Sequence, residues 1–179
     1  MRKSLEETWR YLESQGEVTP RRLDGHPLVA DSMPNFDDDE LRFSYYKYRL
    51  EDADNGNLTL PRTFIGRSWF VRVSFANTDL SESRVCWNDF TECDFTGADL
   101  SGCDLRASDF SGCKFNGASL RGADLRRSKF EDCDFAGADL SGAVAEDTDY
   151  EGLVLEFLSD AQQAVMVMSE DEGPEPPGG

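Results

Sequence analysis

Large apolar residues recur at every fifth position through the middle of the chain. The series runs Ile65, Phe70, Phe75, Leu80, Val85, Phe90, Phe95, Leu100, Leu105, Phe110, Phe115, Leu120, Leu125, Phe130, Phe135, Leu140, Ala145 and Tyr150. Two positions before them stand small residues such as Cys93, Ala98, Cys103, Ser108 and Ala118. A helix repeats at about 3.6 residues and a strand at about 2, so neither gives a strict period of five. A second period overlies the first. Residues 88–107, 108–127 and 128–147 align without gaps. Phe90, Phe110 and Phe130 form one column, Phe95, Phe115 and Phe135 the next, Leu100, Leu120 and Leu140 the third, and Leu105 and Leu125 the fourth. The pattern predicts a square coil of four five-residue sides, stacked at a strand-like rise of roughly 4.8 Å. The eleven residues of these columns are expected to fill the interior. Glycine falls at the expected corners, for example Gly97, Gly117 and Gly137, where tight backbone turning costs least without a Cβ.

Segments such as Ala98-Asp99-Leu100-Ser101-Gly102 and Ala138-Asp139-Leu140-Ser141-Gly142 resemble the repeat unit of the pentapeptide repeat family. The resemblance is clean from Thr78 to Gly142 and looser from Thr63 to Asn77 and after Ala143. It implies an all-β solenoid, a right-handed quadrilateral β-helix. It implies no single function, because the family's roles differ widely.

A solenoid needs caps over its end coils. Ser4-Leu5-Glu6-Glu7 reads as a capping box opening a helix to about Gln15, with Gly16 as its stop and Leu5, Trp9 and Leu12 on one face. Residues 41–50 read as strand, and Asp54-Asn55-Gly56-Asn57 as a hairpin turn. Residues 1–62 are thus expected to form an α/β N-terminal cap and residues 63–152 the β-helix. Residues 153–168 form a C-terminal cap, in which Ser159-Asp160-Ala161-Gln162 starts a short helix; Ala164 to Met168 continue it or run as a strand. Residues 169–179 read as a solvated acidic tail.

Charge narrows the function. The chain carries 36 acidic against 18 basic residues, net −18, with seven acids and no base after residue 150. That balance argues against a direct grip on nucleic acid or anionic lipid. No apolar run is long enough to span a bilayer and no secretory leader is read, so a cytoplasmic protein is expected. Five cysteines fit a reducing compartment. Cys93, Cys113 and Cys133 form one internal column, read as inert packing rather than as a metal site, while Cys86 falls on an outward position and reads as the reactive thiol. The single histidine, His26, lies in a Gly-His-Pro turn with no nucleophile motif. Asp52 to Gly56 lacks the spacing of a calcium loop, and the run Phe36 to Glu40 reads as solvated surface. No catalytic residue, cofactor or metal is assigned.

The outward residues of the fourth side remain. Arg84, Trp87, Arg106, Arg126 and Arg127 lie there in neighbouring coils, and Trp and Arg are the residues that most often anchor protein interfaces. The competing account has Trp87 covered by the N-terminal segment and the arginines paired with Asp104 and Asp124. The expected partner is another protein, either a toxin neutralised by an immunity protein or, through acidic columns that imitate duplex phosphates, a topoisomerase such as gyrase. A homodimer is compatible with either.

Overall fold

The computed structural model describes residues 1–16, 44–146 and 158–169. Residues 44–146 wind as a square β-helix in which every residue pairs with the one twenty positions on. The fourth side contains β1 (Ser44–Tyr46), β3 (Phe64–Gly66), β5 (Arg84–Cys86) and β9 (Val144–Glu146). The first side contains β2 (Arg49–Glu51), β4 (Trp69–Val71), β6 (Asp89–Thr91), β7 (Asp109–Ser111) and β8 (Lys129–Glu131). All pairings are parallel, in the registers Tyr45↔Ile65↔Val85 and Leu50↔Phe70↔Phe90↔Phe110↔Phe130. Single parallel bridges such as Asp94↔Lys114 and Asp99↔Ser119 carry the second and third sides.

The fifth-position residues fill the tube. Phe90, Phe95, Leu100, Leu105, Phe110, Phe115, Leu120, Leu125, Phe130, Phe135 and Leu140 are all buried. Equivalent rings stack face to face, with centroids 4.9 Å apart for Phe90 and Phe110 and 4.8 Å for Phe110 and Phe130. Neighbouring columns meet edge to face, as Phe110 and Phe115 do at 5.5 Å, a favoured arrangement of ring quadrupoles. The small column leaves room for these rings and satisfies buried carbonyls. Cys103 Sγ donates to the Leu80 carbonyl at 2.9 Å, and Ser108 Oγ to that of Val85 at 2.9 Å.

Each corner takes a left-handed residue. Positive φ occurs at every fifth position from Lys47 to Gly142, at thirteen non-glycine corners as well as at glycine. The first corners, from Lys47 to Glu92, contain no glycine. The coil therefore starts earlier than its glycines suggest. The hairpin expected at Asp54 to Asn57 is not formed: Asp54 bridges Ser74 in parallel and Gly56 N accepts its turn from Asp54 by donating to Oδ1 at 2.9 Å. Residues 44–62, assigned above to the cap, pair as solenoid.

Both ends are covered. Helix α1 (Leu5–Ser14) has the expected capping box, Ser4 with Glu7, and buries Thr8, Trp9 and Leu12, while Leu5 is only half-buried. It is tied to the second and third sides of the first coil. Thr59 N donates to Thr8 Oγ1 at 2.9 Å, Lys3 N to the Asn57 carbonyl at 2.7 Å, and the Tyr11 hydroxyl to the Asp54 carbonyl. At the other end Ser159 caps helix α2 (Asp160–Gln163), whose Gln162 Nε2 donates to the carbonyls of Phe135 at 2.8 Å and Ala138 at 3.1 Å. Leu158 and Met166 are buried there. The chain then adds β10 (Val167–Ser169) beside β9, which resolves the open reading of 164–168 toward a strand and draws Ser169 out of the expected tail. Among the described residues no helix is long and apolar enough to cross a membrane.

Candidate functional site: the tryptophan corner

The corner between the fourth side and the first side of the next coil carries Lys47, Arg67, Trp87, Ala107 and Arg127 in one column. Trp87 sits in left-handed backbone at φ 58° with 62% of its surface exposed. The account in which the N-terminal segment buries it is thereby corrected. Trp69, on β4 immediately past this corner, is 45% exposed and pairs in register with Asp89. It was missed in the sequence, although a large apolar residue in an outward column of Arg49, Asp89, Asp109 and Lys129 was visible there.

The ladder beneath holds this corner rigidly. Asn88 Nδ2 donates to the Ile65 carbonyl at 2.8 Å, Ser68 N donates to Asn88 Oδ1 at 3.0 Å, and Asn88 N donates to Ser108 Oγ at 3.1 Å. Trp87 N itself donates to the Arg106 carbonyl at 3.2 Å. The indole is thus presented from fixed backbone, which lowers the ordering cost of binding.

The arginines behave differently from one another. Arg106 makes a two-pronged pair with Asp104 at 2.8 Å on both prongs, and Arg126 with Asp124 at 2.9 and 2.7 Å. The Arg106 bonds hold the Asp104 carboxyl below its usual range. The pairing expected by the bland account is present, yet the two arginine side chains remain 50% and 38% exposed. Arg84 is exposed one rung below Asp104, and Arg127 is exposed at the corner. Cys86 is not the reactive thiol expected: it is buried, one rung below Arg106, and burial raises its pKa. Cys93, Cys113 and Cys133 are buried as expected, and their thiols donate to the carbonyls of Phe70, Phe90 and Phe110. Burial pushes the Cys103 thiol up to about 12. Among the described residues no cluster of three or more His, Cys, Asp or Glu side chains is placed to hold a metal ion. His26 and the run Phe36 to Glu40 lie outside the described residues.

The acidic columns have a local task. Asp94, Asp99, Asp134 and Asp139 each accept from the backbone N–H two residues on, at 2.9 to 3.0 Å, and so close the following turn. Their columns are interrupted by Ser74, Lys114 and Ser119.

Comparison with known proteins agrees with this architecture. A family profile described as "Pentapeptide repeat region" matches residues 89–157, and "Pentapeptide repeats (8 copies)" matches residues 70–106. The crystal structure of HetL is similar over 82% of this chain and 53% of that one, with a TM-score of 0.59 and 19% identity. HetL is a pentapeptide repeat protein involved in heterocyst differentiation regulation from the cyanobacterium Nostoc sp. strain PCC 7120, and this chain spans about half its length. Rfr23, from the cyanobacterium Cyanothece 51142, matches with a TM-score of 0.45 and 18% identity, over 53% of this chain and 82% of its own. QnrB1, a plasmid-mediated fluoroquinolone resistance protein, matches with a TM-score of 0.29 and 14% identity, over 57% of this chain and 66% of its own. No curated protein matches the sequence. The five-residue register, the square parallel ladder and both profile matches agree: the chain belongs to the pentapeptide repeat family, with its right-handed quadrilateral β-helix.

Proposed function

We propose that this protein is a non-catalytic binding module that holds another protein at the tryptophan corner. The observation that carries this reading is the pair of exposed tryptophans, Trp87 and Trp69, at one edge of a rigid tube. Neither is needed there by the fold. A side chain in left-handed backbone costs roughly 1 kcal/mol against glycine, and Trp87 offsets none of that by burial. Basic residues surround the pair (Arg67, Arg84, Arg106, Arg126 and Arg127) although the chain as a whole is net −18. Trp69 and Arg127 are three rises apart along the axis, about 14 Å, which lies within a standard interface patch. Exposed arginine–carboxylate pairs are worth little, so Arg106 and Arg126 are able to exchange their partners for a carboxylate on an incoming protein.

Neutralisation of a toxin, as an immunity protein performs it, is the use we assign to this surface. A duplex mimic acting on gyrase would need a continuous acidic face, whereas the aspartate columns here are interrupted and engaged in turns. The expected result in a supercoiling assay is no inhibition. The docking reading is tested by placing a photo-crosslinking residue at position 87 and, separately, at position 117 on the opposite corner. Crosslinking of one discrete protein from 87 and not from 117 supports it; the reverse pattern overturns it.

A further inference from the structure

We infer that residues 170–179 fold back along the tryptophan corner and compete with the partner for it, so that the module carries its own acidic regulator. What the segment regulates rests on the docking reading; where it binds does not. The first observation is the direction of β10. It lies parallel to β9 in the register Val167↔Val144, Met168↔Ala145 and Ser169↔Glu146. Ser169 therefore tops the column in which Arg126 stands just before its corner residue, and the strand delivers the chain to the corner column of Arg127, Ala107 and Trp87.

Chemistry supplies the second observation. The ten residues are Glu170-Asp171-Glu172-Gly173-Pro174-Glu175-Pro176-Pro177-Gly178-Gly179, with four acids, three prolines and no base. Carboxylates suit the guanidinium groups of Arg126 and Arg127. Proline-rich extended chain suits exposed aromatic rings, since it is already stiff and loses little freedom on docking.

The lengths agree with that order. Arg126 and Arg127 stand two rises below β10, about 10 Å, and Trp87 four rises below, about 19 Å. An extended proline-containing chain advances about 3.1 Å per residue. Residues 170–172 thus reach the arginines, and Pro174, Pro176 and Pro177 reach Trp87 and Trp69. Tethering gives the segment an effective concentration in the millimolar range, so weak contacts suffice.

Acrylamide quenching of tryptophan fluorescence tests this without any partner. Trp9 is buried, and Trp69→Phe in the full chain leaves Trp87 as the exposed reporter. Three forms are compared at low salt: this full chain, the same chain with Glu170→Lys, Asp171→Lys and Glu172→Lys, and one stopped after Ser169. A segment docked at least half the time protects the indole about twofold or more, so quenching is expected to rise by that factor in both altered forms. A synthetic peptide of residues 170–179 should restore protection to the shortened chain. Equal quenching in all three forms overturns the inference. If quenching is equal while Trp87 substitution still weakens the partner, the regulator fails and the docking reading stands; the opposite combination has the opposite meaning.

Discussion

At the scale of single residues, the fold asks for conformation and volume more than for identity. Trp87 occupies a corner that needs only left-handed backbone. Trp87→Gly is therefore expected to leave the melting temperature unchanged or higher, a result that calorimetry reads directly. Asn55 is the opposite case. It stands in the interior column that holds Phe75, Phe95, Phe115 and Phe135 elsewhere, is 1% exposed, and its side-chain amide makes no hydrogen bond. Replacing an unsatisfied buried amide by an apolar group of like size removes its desolvation penalty. Asn55→Leu should stabilise the protein by about 1–3 kcal/mol in urea unfolding, and a loss of stability would show that the amide has a partner such as a bound water. Asp104 sets the response to acid. Its folded pKa lies below the unfolded value because Arg106 hydrogen-bonds the charged form. A group depressed in this way contributes stability that is present above the unfolded carboxylate pKa and lost as pH falls through the lower folded one. The melting temperature should fall below about pH 4, and less steeply in Asp104→Asn.

Stacked columns and caps govern the next scale. Phe110 lies between Phe90 and Phe130 at 4.9 and 4.8 Å, with edge contacts to Phe95 and Phe115. A tube braced by backbone ladders cannot collapse around a missing ring, so Phe110→Ala should cost about 3–5 kcal/mol. A loss under about 1 kcal/mol would contradict the packing. Gln162→Leu strands the carbonyls of Phe135 and Ala138 at the last coil and should cost about 1–3 kcal/mol. The columns were legible in the sequence because five and twenty are periods that no helix or flat sheet produces. The first coil was not. There Tyr45, Leu50 and Leu60 keep the register, but polar Asn55 breaks it, no corner is glycine, and Asp54 to Asn57 has the composition of a hairpin turn. Both caps could be read from their Ser4 and Ser159 capping boxes, because that signal is local. The burial of Cys86 could not, since it depends on what stands one rung above.

For the whole molecule, the account rests on a rigid tube with one tryptophan-bearing basic edge on an otherwise acidic body. The candidate residues Trp87, Arg84, Arg106, Arg126 and Arg127 were visible as outward positions in one region, while Trp69 and Arg67 joined them only once the coil placed them at the same corner. The most direct measurement is the affinity of the crosslinked partner for wild-type protein and for Trp87→Gly, with melting temperatures taken on the same samples. Truncation of a tryptophan anchor commonly costs about 2 kcal/mol or more, so the account predicts binding weakened more than about tenfold with no fall in melting temperature. Unchanged affinity in a fully folded variant would contradict it.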